Sequence, residues 1–286
     1  MDNCFLASKS YYYHLVAGSI PHDASRLVAL DIEWAKNWRA VEKIVPFCAC
    51  LHSIYLTPTI QLLDADAMSM ESQLLFRGNS QTTQDFVSEV DRLLTPHVRS
   101  KCTMLGHQLS SDLHTLRQCS HLPLVGVSDL IDKFRNRHTK DSTGAGASVG
   151  DTRYDLVSRV TGNGAEKLRN VSLRLGVIAV QTEIDGSSVT RMYNEYVTDS
   201  DPLKRQKLQV MNWRHAFQTA LVWAVDSLPG VRRFSRLLGD GALTTNDALH
   251  RMGKEHIEYL SSEEFERTRS KAGTREYIAR YSPSTH

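Results

Sequence analysis

The sequence predicts an α/β protein, with a mixed five-stranded sheet flanked by helices and a helical C-terminal appendage. Three β-prone runs joined by short connections come first, which indicates an antiparallel meander. Helical and strand-like patterns then alternate, so that the order is β-β-β-α-β-α-β before a final series of helical patterns. The chain has 286 residues, enough for one large domain and an appendage.

Composition divides the chain into three segments. Residues 1–25 contain a run of three tyrosines and end in a turn-like stretch, so we expect a lead-in segment. Residues 26–228 hold the strand and helix patterns of the expected main domain. Residues 229–286 are more charged and contain short helical patterns, which predicts the helical appendage.

Hydrophobic periodicity and turn residues place the individual elements. Strands are predicted at residues 26–34, 46–56, 59–63, 101–106 and 125–130. Helices are predicted at residues 82–96, 110–118, 165–175, 188–198 and 208–228. Thr82 or Thr83 is the expected cap of the first helix and Pro96 its expected end, while Ser110 or Ser111 is the expected cap of the second. Residues 136–153, rich in glycine and small polar side chains, are expected to form a loop.

Net charge and hydropathy bear on whether the protein binds nucleic acid, is secreted or spans a membrane. A formal net charge of +2 does not indicate a nucleic-acid-binding protein. It does not exclude one either, because a nuclease can confine its basic surface to one groove. The N-terminal residues lack the pattern of a secretory signal, and no apolar run approaches the length of a membrane span. We therefore expect a cytoplasmic or otherwise intracellular protein that does not contact membranes.

The five cysteines are an odd number and include no Cys-x-x-Cys pair, which favours free thiols in a reducing compartment. Cys48, Cys50 and His52 alternate along the chain, a spacing that is compatible with zinc binding. The surrounding run is apolar and β-prone, however. We therefore favour a buried strand in which the cysteines act as small hydrophobic residues.

The first predicted strand carries two carboxylates, Asp31 and Glu33. Side chains at this spacing leave the same face of a strand, about 6–7 Å apart. Two like charges repel at this distance near a buried surface, and a divalent cation between them removes the penalty. The alternative is a strand that reaches the surface at its C-terminal end and carries two solvated carboxylates.

Two later segments add further candidate groups. Gly106, His107 and Asp112 belong to the phrase Gly-His-x-x-x-x-Asp-Leu-x-x-Leu, and His215 lies in a late predicted helix. Asp112 would be favoured near a helix N-terminus even without a catalytic role. Together with Asp-x-Glu, these segments resemble the signature motifs of DEDD-type 3′–5′ exonucleases in their histidine variant, which have a ribonuclease H-like fold. The tyrosine variant is not available, because the chain contains no Tyr-x-x-x-Asp.

The resemblance covers residues 26–228 and implies metal-dependent hydrolysis of phosphodiester bonds at the 3′ ends of nucleic acids. It implies that Asp31 bridges two divalent ions, Glu33 holds one and orients the attacking water, and Asp112 holds the other. Mg²⁺ or Mn²⁺ suits such an oxygen-rich site. His215 would be the general base, since an imidazole near neutrality can accept a proton from water.

One position departs from the family pattern. The fourth acid is expected five residues after His215, where this chain has Ala220. Alanine binds no metal, so the site would hold one ion unless another group substitutes. Asp155 is the substitute that we favour, although it fits a helix-capping role equally well. The alternative function is therefore a catalytically silent ribonuclease H-like module that binds nucleic acid or contributes to an assembly.

A cluster of cations and aromatic rings follows the Asp-x-Glu strand and is the candidate surface for nucleic acid. Its members are Trp34, Lys36, Trp38 and Arg39, and His107 of the second motif is added to them. Phosphate contacts and base stacking are what a single-stranded or 3′-end nucleic acid requires, whether DNA or RNA. A surface loop with one buried tryptophan explains the same residues. The appendage is expected to pack on the domain or to contact a partner protein.

Overall fold

The computed structural model describes residues 10–17, 24–36, 43–56, 69–139, 146–156, 167–168, 171–172 and 186–227. These residues form a mixed α/β structure around a six-stranded sheet. The strands are β1 (Ser10–Ala17), β2 (Ser25–Lys36), β3 (Ile44–Leu56), β4 (Ser69–Arg77), β5 (Thr103–Gly106) and β6 (Ser148–Asp151). The helices are α1 (Thr83–Arg99), α2 (Leu109–Gln118), α3 (Val125–Asn136), α4 (Gly186–Asp199) and α5 (Pro202–Ser227).

The order of strands across the sheet is β1-β4-β3-β2-β5-β6. β2, β3 and β4 form an antiparallel meander, of which β2 and β3 are the first two predicted strands. β5 and β6 continue the sheet on the other side of β2, and both run parallel to it. The carboxyl ends of β2, β5 and β6 therefore point to the same edge, where ligands commonly bind in α/β sheets.

The sheet has one strand more than the five predicted. β1 lies within the segment expected to be a lead-in, and it pairs antiparallel with β4 at the sheet edge. β4 itself has no counterpart among the predicted strands, and the strand predicted at 59–63 lies outside the described residues. Glu71 and Gln73 interrupt the apolar pattern of β4, which weakens the sequence signal of a buried strand.

The first helix starts as predicted and ends later. Thr82 is the N-cap of α1 and forms a capping box with Asp85. The helix does not stop at Pro96 but continues to Arg99. His97 is buried in this last turn and contacts Arg26 and Gln73 through its imidazole. These tertiary contacts stabilise the turn despite the backbone hydrogen bond that proline cannot donate.

Two predictions of local structure between α2 and α4 are wrong. The strand predicted at 125–130 is the first half of helix α3, whose amide groups at Val125 and Val127 donate to the carboxylate of Asp91 on α1. A short apolar run does not distinguish a strand from a buried helix. The loop predicted at 136–153 contains the last residue of α3 and the whole of β6. Gly150 of β6 lies directly beneath the ring of Trp223, where an added Cβ would approach the ring within 2.2 Å.

Helices cover both faces of the sheet. One buried cluster joins the sheet to α1, α2 and α3, and the other joins it to α4 and α5. The helices predicted at 188–198 and 208–228 correspond to α4 and α5, and residues 168, 171 and 172 of the helix predicted at 165–175 are helical. The predicted appendage at 229–286 lies outside the described residues.

Candidate metal centre

Asp31 and Glu33 lie on β2, on the face of the sheet that α5 covers. Neighbouring odd-numbered positions of β2, such as Ala29 and Ala35, belong to the core beneath α4 and α5. A register shift in the β2–β3 pairing follows Glu33. Since alternate residues of a strand share a face, both carboxylates leave the sheet toward α5, as predicted.

His215 on α5 joins these two carboxylates in a compact group. Its Nδ1 lies 2.9 Å from Glu33 Oε1 and 3.6 Å from Asp31 Oδ2. One ligating atom from each of the three residues lies within 4.8 Å of the others. Among the residues that the structure describes, this is the only such group of potential metal ligands.

The electrostatics of the group favour a positively charged imidazole when no cation is bound. Burial alone would lower the pKa of His215, but its hydrogen bonds and charge interactions with Asp31 and Glu33 raise that pKa to about 10. Burial and the charge of Asp31 raise the pKa of Glu33, while His215 opposes this rise. His215 therefore acts as a counter-ion between two carboxylates.

Asp112, the third predicted ligand, lies on α2 beside this group. Its side chain is buried, and burial, followed by the charges of Asp31 and Glu33, raises the pKa of Asp112 well above its usual range. Asp112 is not part of the compact group of three. It is close enough for its pKa to depend on their charges, and the charge of His215 opposes the rise.

The start of α2 is held by a residue other than the predicted caps. The helix begins after Gln108, which has a positive φ of 68° and no side-chain cap. Instead, the buried carboxylate of Asp151, at the end of β6, accepts hydrogen bonds from the amides of Gln108 and Leu109. Gly106 allows this tight entry, because an added Cβ would approach Leu109 within 2.7 Å. The cap prediction of Ser110 or Ser111 was wrong because the acceptor comes from a distant strand.

Asn212 is the site residue that the sequence reasoning missed. Its Nδ2 donates to Asp31 Oδ2 at 2.7 Å and to the Asp31 backbone oxygen at 3.1 Å. Its Oδ1 accepts from the thiol of Cys48 at 3.3 Å. Asn212 and His215 are three residues apart and therefore share a helix face. A buried polar residue at this spacing within an apolar helix was the signal that could have identified it.

The position at which DEDD-type exonucleases have their fourth acid carries no ligating group in this chain. Ala220 is fully buried and packs in the hydrophobic core between the sheet and α5. Asp155, the favoured substitute, is engaged elsewhere: its carboxylate contacts Arg137 and His138 and accepts from the amide of Asp151. The structure therefore gives no support to Asp155 as the fourth ligand.

The candidate nucleic-acid surface is described only in part. Trp34 is half-buried and packs against the core beneath α1, α2 and α3, whereas Lys36 is exposed. Trp38 and Arg39 lie outside the described residues. His107 lies at the carboxyl end of β5, and its Nδ1 is 2.9 Å from the hydroxyl of Thr152. His107 is thus at the same edge of the sheet as Asp31.

The zinc interpretation of β3 receives no support. Cys48 and Cys50 are free, fully buried thiols within the core. His52 packs edge-on against Trp213 and Phe217 and contacts the Ser72 hydroxyl. The interpretation of this run as a buried strand is confirmed.

The donor set of the compact group fits a divalent cation. Two carboxylates supply oxygen ligands, which Mg²⁺ and Mn²⁺ prefer, and an imidazole nitrogen is acceptable to Mn²⁺. The buried carboxyl group of Asp112 lies near these ligands, and a cation bound there would favour its charged form. Asp31 and Glu33 would hold the ion, with His215 beside them and Asp112 nearby on α2.

Comparison of the chain with protein-family models, with curated proteins and with solved structures finds no match. Within the described part of the chain, no helix combines the length and the apolarity needed to cross a membrane.

Proposed function

We propose that this chain binds a divalent cation at Asp31 and Glu33, beside His215, and hydrolyses phosphodiester bonds at the 3′ ends of nucleic acids. The observation that carries the proposal is the compact group itself, with ligating atoms within 4.8 Å of one another. Among these residues, the sequence motifs predicted Asp31 and Glu33 as metal ligands and His215 as the general base beside them. The meander followed by two parallel strands supports a ribonuclease H-like fold.

The residues of the site have distinct tasks in this reaction. Asp31 and Glu33 bind the cation, which when bound supplies charge stabilisation for an in-line displacement at phosphorus. His215 donates through Nδ1 to Glu33, so Nε2 is the nitrogen that can accept a proton from the attacking water. Because the two carboxylates raise the pKa of His215 to about 10, that nitrogen becomes a base only when a bound cation weakens their hold.

The substrate would approach along the edge formed by the carboxyl ends of the parallel strands. Lys36 is exposed beyond Glu33, and an ammonium group there can contact a phosphate. His107 directly follows β5 at the same edge and is half-buried. Neither side chain distinguishes DNA from RNA, since that choice depends on contacts with the 2′-hydroxyl.

A 5′-labelled single-stranded oligonucleotide tests the proposal, with Mg²⁺, Mn²⁺ or EDTA added. We expect stepwise shortening from the 3′ end with either metal and none with EDTA. Asp31→Asn should reduce the rate by at least about 100-fold, since it removes the ligand shared by cation and His215. Asp132→Asn is the matched control, because Asp132 is exposed on α3 and should leave the rate unchanged. No shortening with either metal would contradict the proposal.

A silent binding module is the second candidate function, and one observation favours it. His215 already neutralises both carboxylates, and Asn212 contacts Asp31 with an uncharged amide. A protein of this kind would bind the oligonucleotide without shortening it, and Asp31→Asn would leave that binding unchanged.

A further inference from the structure

Asn212 contacts the metal centre through the amino group of its carboxamide, and the side chain is completely buried. The two hydrogens of its amino group meet two acceptors of one residue, Asp31 Oδ2 and Asp31 O. Its carbonyl oxygen accepts from the thiol of Cys48. This pattern of donors and acceptors fixes the orientation of the amide, because a flipped amide would place its oxygen against both acceptors of Asp31.

These hydrogen bonds fix the orientation of Asp31. One carboxylate oxygen and the backbone of the same residue are bound to a single rigid group, so rotation of the Asp31 side chain would break a hydrogen bond of 2.7 Å. A neighbour that holds a ligand in place commonly changes metal affinity about 10–100-fold when it is removed. Asn212 is therefore a positioning residue, acting through Asp31.

An aspartate at position 212 would have nearly the same shape as the asparagine, but it would repel Asp31 instead of donating hydrogen bonds to it. One of its oxygens would still accept from Cys48, which is the donor in the present contact. The other would replace the amino group and face the Asp31 carboxylate and backbone oxygen without a proton between them. Such an arrangement of acceptors is repulsive, and a cation bound between them relieves the repulsion.

We propose that Asn212 orients Asp31 and limits the metal centre to one tightly bound divalent cation, and that an acidic side chain at this position creates a second cation site beside Asp31. An amide thus lies beside Asp31 where an acidic side chain would complete a second cation site, three residues before His215 on the same helix face. The inference rests on the cation binding proposed above, and it specifies the number of ions.

Mn²⁺ alone is the probe for this inference. The loss of the electron paramagnetic resonance signal of free Mn²⁺ gives the number of ions bound to the full chain. Two adjacent bound ions also give a spin-coupled spectrum, which a single bound ion does not. We expect one tightly bound ion for the wild type and one more for Asn212→Asp, with the coupled spectrum. Asn194→Asp is the matched control, because it makes the same change on the exposed face of α4 and should bind as the wild type does.

Asn212→Ala supplies a second, independent measurement. It removes both hydrogen bonds to Asp31 and introduces no charge, so we expect Mn²⁺ affinity to fall about 10–100-fold. Circular dichroism and the melting temperature of each variant show whether it folds. Wild-type affinity in Asn212→Ala would overturn the positioning role.

The result for Asn212→Asp separates the two proposals. Equal numbers of bound ions in the wild type and in Asn212→Asp would overturn the inference. Absence of any Mn²⁺ binding by the wild type would instead overturn the proposed function. A gain of one ion in Asn212→Asp over the wild type supports the assignment of position 212 whatever the nuclease assay shows.

Discussion

Two histidines lie on the same face of the sheet, between the sheet and α5, but only one of them is charged at neutral pH. His52 on β3 packs among Trp213, Phe217 and Ser72, and none of its contacts within the described part of the chain is a carboxylate. Burial lowers the pKa of His52 to about 3, so it is neutral. His215 on α5 contacts two carboxylates, which raise its pKa to about 10. The neighbouring carboxylates, and not burial, decide whether a histidine on this face carries a charge.

The space beneath α5 therefore contains two regions. The region around His52 stabilises the fold, and the region around His215 holds the candidate metal centre. The His52 region is aromatic and apolar, which contributes to stability by removing surface from water. The His215 region gathers acidic groups whose mutual repulsion costs stability unless a proton or a cation compensates it. Three predictions test this division, from the largest expected effect on stability to the smallest.

Phe217→Ala should have the largest effect. Phe217 is fully buried, stacked 5.0 Å from Trp213 and edge-on to His52. We expect the free energy of unfolding in urea to fall by about 3–5 kcal/mol, from lost burial and the cavity that remains. Phe217→Leu keeps most of the volume and should lose no more than about 1.5 kcal/mol. Similar small losses in both variants would show that the aromatic region does not support the fold as described.

Asp112→Asn should stabilise the metal-free protein at neutral and higher pH. The raised pKa of Asp112 means that the native state binds a proton more tightly than the unfolded state does. Wild-type stability should therefore fall as pH rises from about 4 toward the raised pKa, by about 1.4 kcal/mol for each pH unit in that window. Asp112→Asn should lack this dependence, as urea unfolding in EDTA across the pH range will show. An unchanged pH dependence in the variant would mean that Asp112 is not the buried acid that titrates.

The smallest expected effect on stability concerns the two histidines themselves, since neither should change charge near neutral pH. Each imidazole can be followed by nuclear magnetic resonance in metal-free protein, with His52→Gln and His215→Gln to assign the signals. His52 should be neutral at pH 6, and stability from its neutral form should be present above pH 6.5 and lost as pH falls toward 3. His215 should be protonated at pH 8.

The pH dependence of stability that His215 contributes is the reverse of the one that His52 contributes. Its folded-state pKa is raised, so its contribution to stability is fully present below pH 6.5 and is lost as pH rises through about 10. The His215 side chain is 41 % exposed, so solvent screening reduces the size of this contribution. A His215 resonance that titrates near pH 6.5 would remove the contrast with His52.

The sequence predicted those parts of the fold that carry their own local signal. β2 and β3 are apolar runs, α1 has a capping box at Thr82, and α5 has a long apolar stripe. The regions that were mispredicted depend on partners far away in the chain. The four residues of β6 form a strand because they pair with β5, and α3 begins where it does because Asp91 accepts its first amides.

The candidate site shows the same limit. Spacing along one strand was enough to place Asp31 and Glu33 on a common face, and the motif placed His215 near them. Asn212 could not be assigned from the family pattern, because that pattern directs attention to Ala220, which packs in the core. The contact between Asn212 and Asp31 joins residues 181 positions apart, and it depends on how α5 crosses the sheet.

The most direct test of the account is a crystal of this chain soaked with Mn²⁺, in which anomalous scattering locates the ion. The account predicts one strong peak bound by carboxylate oxygens of Asp31 and Glu33 at about 2.0–2.4 Å. We further expect His215 Nδ1 to move away from its present 2.9 Å contact with Glu33, since ion and imidazolium compete for the same oxygens. A well-ordered site with no peak at these carboxylates, and with His215 still bound to Glu33, would contradict it.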